Sequence, residues 1–223
     1  MSIADTPPPG RRKSPVPRGR RRREEVLAVA ERLILDHGFA ETTMQRVAEE
    51  AGASKETLYR HFKSKDELLL EIVLARTSDL RKALDASFES GAPLPVVLRE
   101  TGCRLLERMG GASVIPLLRI VITETVRNPE LGLALFTAGP DRTARRLADY
   151  LAAAKGRGDF HGEDPAMAAS FYIGSVMGNA TLMNLLRPVE RPMTRKQIDG
   201  RVDEAVALFL ARYGSPSQGT GGK

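Results

Sequence analysis

The stretch TMQRVAEEAGASKETLYRHF, residues 43–62, has the pattern of two short helices joined by a tight turn. The turn lies at Gly52-Ala53-Ser54, where the glycine can take the positive φ that reverses the chain. Val47 on the first helix then shares the inward side with Leu58 and Phe62 on the second. The outward face of the second helix carries Lys55, Thr57, Tyr59, Arg60 and His61. This arrangement indicates a helix-turn-helix, whose second helix enters the major groove of DNA.

The same pattern also fits a plain three-helix subdomain with a solvated polar face, because an isolated motif is a hypothesis until its context agrees. The helix predicted before the motif ends at Gly38 and carries an apolar stripe at Val26, Ala30, Leu33 and Ile34. Thr42 and Thr43 offer N-caps to the first motif helix, with Gln45 as the capping-box partner of Thr42.

Beyond the motif the sequence predicts helix after helix. Ser64 and Glu67 form an S-x-x-E capping box that opens a long helix from Asp66 to about Ser87. Between glycine and proline breakers, further helices are predicted at about 94–109, 112–127, 140–156, 165–187 and 194–213. The sequence shows no alternation typical of strands, and aromatic residues make up only 5% of it, so the predicted fold class is all-α.

The first 21 residues form a basic arm rich in proline, arginine and glycine, which we predict to be disordered. Residues 1–23 hold eight basic side chains and one acidic one, whereas the rest of the chain is nearly neutral. Such an arm suits a polyanion, either nucleic acid or an anionic membrane surface. A solvated tail that only aids solubility fits the charge as well. No apolar segment follows the arm, so it does not have the pattern of a secretory signal.

The sequence offers little for catalysis or metal binding. Its single cysteine, Cys103, excludes an internal disulfide and a thiolate cluster, and indicates a reducing compartment. The three histidines are far apart and lack the spacing of metal ligands. No nucleophile–base pair or glycine-rich phosphate loop stands out. We therefore expect a cytoplasmic protein that is not an enzyme and holds no metal or cofactor.

Residues 165–186 contain no charged side chain over 22 positions and include Gly174 and Gly178 in a G-x-x-x-G spacing. Taken alone, this pattern suits a membrane helix that dimerises. Polar residues interrupt the stretch and the sequence has no second span, so a helix buried between its own domain and a dimer partner also explains the missing charge. We favour this second interpretation, without membrane contact. The dimer interface would then comprise the helices at 165–187 and 194–213.

The block GFAETTMQRVAEEAGASKETLYRHFKSKDELL, Gly38 to Leu69, closely resembles the amino-terminal domain of TetR-family transcriptional regulators. It includes the Thr-Thr opening, the Ala-Gly turn, the Leu-Tyr-x-His-Phe of the second motif helix and the Lys-Ser-Lys that follows. More weakly, residues 116–186 resemble the carboxyl-terminal domain of the AefR-like branch. The segments that carry this second resemblance are RIVITET at 119–125, NPEL at 128–131 and AGPDR at 138–142.

The resemblance implies a homodimer that binds a palindromic operator in double-stranded DNA. On the family's pattern, Thr43 and Arg46 open the first motif helix beside the DNA backbone, and Lys65 matches the lysine that meets phosphate. The recognition turn and helix comprise Ser54, Lys55, Thr57, Tyr59, Arg60 and His61. Hydroxyls, cationic groups and helix N-termini all suit phosphate oxygens. Which of these side chains touch base edges stays open.

We predict a basic arm at 1–21, a DNA-binding domain at 22–66, a helical effector-binding and dimerisation domain at 67–214, and a flexible tail at 215–223. The predicted function is a repressor that a small apolar or amphipathic effector releases from DNA, because the family's linker helix moves when a ligand binds. The alternative is an effector-free architectural or loosely specific DNA-binding protein, in which the arm supplies the affinity.

Overall fold

The computed structural model describes residues 18–109, 114–186 and 192–215. Its helices are α1 (Arg18–His37), α2 (Met44–Glu50), α3 (Lys55–His61), α4 (Lys65–Arg76), α5 (Ser78–Glu89), α6 (Leu94–Met109), α7 (Ile115–Glu124), α8 (Pro129–Phe136), α9 (Arg142–Gly156), α10 (Pro165–Met177), α11 (Ala180–Leu186) and α12 (Arg195–Tyr213). A π-helical turn at 137–141 joins α8 to α9. These ranges contain no strand, only a single bridge between Phe160 and Gly214, and the all-α prediction is confirmed.

Side-chain caps begin several helices as the sequence predicts. The Ser64 hydroxyl accepts the Glu67 N–H at 3.0 Å at the start of α4. Thr194 and Gln197 form a complete capping box at the start of α12. Each cap satisfies N–H groups that the helix itself leaves without a partner.

The cap of α2 differs from the prediction. Thr43 is the N-cap, and its hydroxyl accepts a backbone N–H from the first turn of α2 at 3.1 Å. Thr42 is buried instead, and its hydroxyl donates to the Gly38 carbonyl at 2.8 Å. Gln45 donates to the Glu49 carboxylate at 2.9 Å and forms no capping box with Thr42.

The long helix predicted from Asp66 to Ser87 is two helices, because the chain bends at Thr77 between α4 and α5. The Thr77 hydroxyl donates to the Val73 carbonyl one turn back, at 3.1 Å, and the residue has φ −101° and ψ 2°. A threonine that bonds to the preceding turn in this way favours a bend. The Arg81 guanidinium then holds the joint by donating to the Thr77 hydroxyl at 2.9 Å.

The helix predicted at 165–187 is also divided. α10 ends just before Gly178, which takes φ +48° and so cannot continue a right-handed helix. The chain resumes as α11 two residues later. Residue 187, the predicted end, lies outside the described residues.

The sequence predicts a break between about 128 and 139, yet α8 lies there. Pro129 stands in the first turn of α8, where a missing N–H leaves no hydrogen bond unmade. Pro140 falls inside the π-helical turn, which carries the chain into α9 without a loop. The helix predicted at 112–127 is shorter than expected: α7 begins at Ile115, and residues 110–113 lie outside the described residues.

Helix α1 begins at Arg18, inside the arm predicted at 1–21. Arg20 and Arg21 each pair with the glutamate four residues later, at 3.1 and 3.2 Å. Ion pairs at this spacing stabilise a helix, which explains why it extends into the basic run. The rest of the predicted arm, 1–17, and residues 216–223 of the predicted tail lie outside the described residues.

Two hydrophobic cores organise the described residues. The motif core joins α1–α4 to α7 and α8 and includes Val26, Ile34, Val47, Leu58, Phe62, Leu69, Ile72, Leu117, Val121 and Leu131. The body core joins α5, α6, α9, α10 and α12 and includes Leu98, Leu147, Phe160, Tyr172 and Val202. The cores therefore do not separate at residue 66, where the sequence predicts a domain boundary. Helices α4, α7 and α8 pack with the helix-turn-helix because their apolar faces complete its core.

Arg76 lies where the two cores meet. Its guanidinium donates two hydrogen bonds, both 2.6 Å, to the buried Glu31 carboxylate of α1. The Arg108 guanidinium of α6 donates to the backbone carbonyl of the same arginine. The end of α4 is thus bound both to the first helix of the motif core and to a helix of the body core.

Candidate nucleic-acid interface

Helices α2 and α3 meet across Gly52, which takes φ +59°. The Ala53 N–H donates to the Ala48 carbonyl at 2.9 Å, and the Gly52 N–H donates to the Glu49 carbonyl at 3.0 Å. This Schellman arrangement closes α2 and reverses the chain. The Ser54 hydroxyl then accepts a backbone N–H from the first turn of α3 at 3.1 Å. Local rules of turn and cap therefore fix the angle between the two helices.

The inner face of α3 is fully buried. Leu58 and Phe62 have no exposed surface and pack in the motif core. Phe62 is also the C-cap of the helix, and its N–H donates to the Leu58 carbonyl at 2.9 Å. Residues four apart lie on one side of a helix, so burial of this pair determines which side chains face outward.

The outer face carries the side chains that the sequence places there. Tyr59 is 47% exposed although it is aromatic, and Lys55 and Arg60 are exposed beside it. Thr57 and His61 are half-buried. A rigid face that offers a phenol and two cations suits both phosphate oxygens and base edges.

Some predicted DNA-binding side chains also bond within the protein. The Arg46 guanidinium contacts His37 Nε2 at 3.0 Å, and Lys55 Nζ donates to Gln45 Oε1 at 3.4 Å. Gln45 is exposed and links the first motif helix to the recognition helix, yet it is not among the site residues predicted from the sequence. Its position beside Thr43, in the first turn of α2, is the signal that identifies it.

The structure places Lys65 differently from the other predicted site residues. Its ammonium donates to the carbonyls of Phe39 at 2.7 Å and Ala40 at 3.3 Å, and lies 4.3 Å from the centre of the Phe39 ring. These contacts tie the start of α4 to the loop between α1 and α2. In this arrangement the lysine supports the loop that leads into α2.

Two arginines that the sequence assigns only to a basic run also contact the motif. The Arg22 guanidinium donates to the Gly52 carbonyl in the turn. Arg23 pairs with Glu71 of α4 at 2.6 Å, and its guanidinium carbon lies 5.1 Å from the centre of the Phe62 ring. The sequence gives no sign of these contacts, because they depend on α1 continuing through the basic run.

Other kinds of chemistry have little support in the described ranges. No three His, Cys, Asp or Glu side chains there are grouped to hold a metal ion. Burial raises the pKa of the Cys103 thiol, which favours its unreactive protonated form. None of the helices described is both long and apolar enough to cross a membrane.

Comparison with family models agrees with this geometry. The model of bacterial regulatory proteins of the tetR family matches residues 26–72. The model of the AefR-like transcriptional repressor, C-terminal domain, matches residues 96–215. Both resemblances stated from the sequence are confirmed, and the second covers more of the chain than the segments that first indicated it.

Individual relatives agree as well. An uncharacterized HTH-type transcriptional regulator of Mycobacterium tuberculosis is 29% identical over 200 residues, which cover 86% of this chain and 89% of the relative. The crystal structure of a Mesorhizobium loti protein assigned to the TetR family is 27% identical, with a TM-score of 0.78, and the match covers 89% of this chain and all of that one. The Flavonoid-responsive Regulator FrrA is 29% identical, with a TM-score of 0.73, and the match covers 87% of this chain and 97% of the FrrA chain. These relatives are regulators, in accord with the prediction that the chain is not an enzyme.

The two faces of α3 predict opposite effects of substitution. Tyr59→Ala and Lys55→Ala should each weaken binding to a cognate duplex by about 1–3 kcal/mol and leave stability unchanged, since neither side chain packs in the motif core. Phe62→Ala should lower the free energy of unfolding by about 3–5 kcal/mol, the usual loss for a buried aromatic. Fluorescence anisotropy measures the first effect, and urea unfolding measures the second.

Tyr59→Phe is the matched control, because it keeps the ring and removes only the hydroxyl. It should fold as the wild type does and show how much of the loss in Tyr59→Ala comes from the hydroxyl. If Tyr59→Ala destabilises the protein as much as Phe62→Ala, the assignment of the two faces is wrong.

Proposed function

The chain belongs to the TetR family of transcriptional regulators, and on that premise we propose that it is a cytoplasmic repressor that binds a palindromic operator as a homodimer and is released by a small effector. The observation that carries the proposal is the two-sided recognition helix. Its apolar face is buried, while Lys55, Tyr59 and Arg60 project from a folded helix-turn-helix. Such a face fits the major groove, where each base pair presents a distinct pattern of donors and acceptors.

Phosphate and base contacts divide along the motif in this proposal. Thr43 and Arg46 lie at the start of α2 and meet the DNA backbone, as does Ser54 at the start of α3. The groove is read from the outer face of α3 by Lys55, Thr57, Tyr59, Arg60 and His61. Lys65 acts indirectly, because its ammonium holds the loop before α2.

The proposed dimer interface is formed by the helices predicted at 165–187 and 194–213, here α10, α11 and α12. Met167 and Phe171 are 53% and 61% exposed on α10, in line with Gly174 and its open surface. Leu182 on α11 and Leu208 on α12 are 53% and 60% exposed. Large apolar side chains and small residues on adjoining helices suit a close, two-fold contact with a second copy.

A two-fold dimer explains why the operator should be a palindrome. The symmetry presents two copies of α3, which must lie about 34–36 Å apart, or a multiple of that distance, to enter successive major grooves. Each copy then reads the same half-site. Any change in the distance between the two copies weakens both contacts at once.

The way the two cores are joined supports the proposal that an effector releases the protein from DNA. The chain crosses between the cores three times, after α4, after α6 and after α8, and the structure describes two of these joints throughout: Thr77 and the π-helical turn, residues 137–141. These joints are adjacent, because Arg81 donates to Thr77 while Asp85 on the same helix accepts from Arg142, just after the turn, at 2.6 Å. A ligand that shifts α5 against α9 would therefore move α4 and the motif core with it.

An open surface depression near the joint at Thr77 is the place we propose for the effector. It has a volume of about 280 Å³ between α5 and α6 and is lined by Asp79, Leu80, Ala83, Arg104, Glu107 and Arg108. Its apolar and charged walls suit an amphipathic molecule. Because Arg108 also donates to the carbonyl of Arg76 at the end of α4, a ligand that draws this guanidinium away would release one tie between the cores.

The alternative function is an effector-free or loosely specific DNA-binding protein. Arg20 and Arg21 favour it, since their side chains are 66% and 78% exposed and can attract any DNA. Competition with random DNA separates the two proposals. A repressor should prefer its operator by roughly 10³-fold or more, whereas a general DNA-binding protein should not.

The exposed stripe on α10 leads to a prediction for the dimer. Phe171→Glu should weaken dimerisation by about 30-fold or more, because a charge replaces a central apolar side chain in the proposed interface. Val126→Glu is the matched control, since Val126 is 84% exposed and lies in the turn that follows α7, outside the three helices of the proposed interface. Sedimentation velocity across a dilution series measures both. Equal dimer dissociation constants for the two variants would contradict the proposed interface.

The proposed release leads to a second prediction. A panel of flavonoid aglycones is a reasonable first probe, since FrrA is flavonoid-responsive. A compound that binds should have about 5–150-fold lower affinity for the operator-bound protein than for the free protein, because coupling between two sites is reciprocal. Calorimetric titration with and without operator measures this ratio. Equal affinity in both titrations, for each compound that binds, would argue for the effector-free alternative.

A further inference from the structure

Two neighbouring arginines of α1 contact opposite ends of the recognition helix. Arg22 contacts the turn that precedes α3, through the Gly52 carbonyl. Arg23 contacts the end of α3, through the Phe62 ring. Consecutive residues on a helix project about 100° apart, so one turn of α1 can reach both places. These contacts lie outside the residues that the family pattern assigns to DNA.

Arg22 is held in a fixed orientation by two acceptors. One terminal nitrogen of its guanidinium donates to Glu25 Oε2 at 3.1 Å on the same helix, and the other donates to the Gly52 carbonyl. The planar guanidinium spaces its donors rigidly, so the position of α1 sets the position of the turn. The N–H of Gly52 is already bonded to Glu49 inside α2, and its carbonyl is the group that meets α1.

Arg23 makes comparable contacts at the other end of α3. It pairs with Glu71 of α4 at 2.6 Å while its guanidinium lies over the Phe62 ring. The side chain is 36% exposed and that of Glu71 is 31% exposed, so the pair is partly shielded from water. A guanidinium over an aromatic face adds a directional attraction that a lysine reproduces less well.

The preceding arginines behave differently. Arg20 and Arg21 bond only to Glu24 and Glu25 of their own helix among the contacts described, and both side chains are largely exposed. Both side chains lie at the surface, where they can attract the phosphate backbone, and none of their described contacts is with the motif. The basic run is therefore divided between two exposed side chains and two that contact the helix-turn-helix.

We propose that Arg22 and Arg23 are positioning residues that fix the orientation of the recognition helix, so that they contribute to discrimination between DNA sequences and not only to general attraction. The reason is geometric: base readout requires the side chains of α3 to meet base edges at fixed places, whereas attraction to phosphates tolerates small rotations. This inference rests on the proposed operator binding.

Charge-conserving substitutions test whether Arg22 and Arg23 contribute to discrimination between DNA sequences. The probes are a duplex selected by the wild-type protein from a random library and a scrambled duplex of the same composition. Arg22→Lys keeps the charge but loses the forked contact, and should weaken binding to the selected duplex about tenfold while binding to the scrambled duplex stays within about twofold. Arg145→Lys is the matched control and should leave both affinities unchanged, because Arg145 is an exposed arginine of α9 that pairs with Asp141 one turn back.

Each outcome has a clear meaning. If Arg22→Lys behaves as Arg145→Lys does, or weakens binding to both duplexes alike, Arg22 acts only through its charge and the inference is wrong. If Arg22→Lys melts at a much lower temperature than the wild type, Arg23→Lys is tested instead. The ratio of its affinities for the selected and scrambled duplexes then reports on the contact at the other end of α3. A wild-type protein that fails to distinguish the two duplexes would contradict the proposed function itself, which is a separate result.

Discussion

The burial of Leu58 and Phe62 is the constraint on which the proposed DNA-binding surface depends. These side chains have no exposed surface, and they hold α3 against the same core that contains residues of α1 and α4. Because burial of this pair determines which side of α3 faces inward, packing alone places Tyr59 on the exposed side. Arg22 and Arg23 of α1 add contacts at the two ends of α3. These contacts restrict the rotation and tilt of α3 more than the buried pair does alone.

The division into two cores bears on the proposed release from DNA. Helices α4, α7 and α8 pack with the helix-turn-helix, so the motif core extends well beyond the segment that carries the recognition pattern. Among the described residues, the hydrogen bond from Arg108 to the carbonyl of Arg76 ties the body core to the end of α4. An assembly of two well-packed units and a few polar links can change its relative orientation while each unit stays folded.

Local rules explain which features could be predicted from the sequence. The glycine turn at Gly52, the cap at Ser54 and the apolar spacing of α3 depend on neighbours within a few residues, and each is present in the structure. The bend at Thr77 could not be predicted in the same way, since a threonine within a predicted helix need not bond to the preceding turn. The contacts of Lys65 and Arg22 join segments about 25–30 residues apart, and only the packed fold reveals them.

The central claim is that a two-fold dimer of this chain reads DNA through α3. In vitro selection from a library of random duplexes, with the full-length protein and competitor DNA, tests it most directly. The account predicts enrichment of an inverted repeat whose half-sites are centred about 10 base pairs apart or a multiple of that distance. Failure to enrich any sequence, or enrichment of a single asymmetric site, would contradict it.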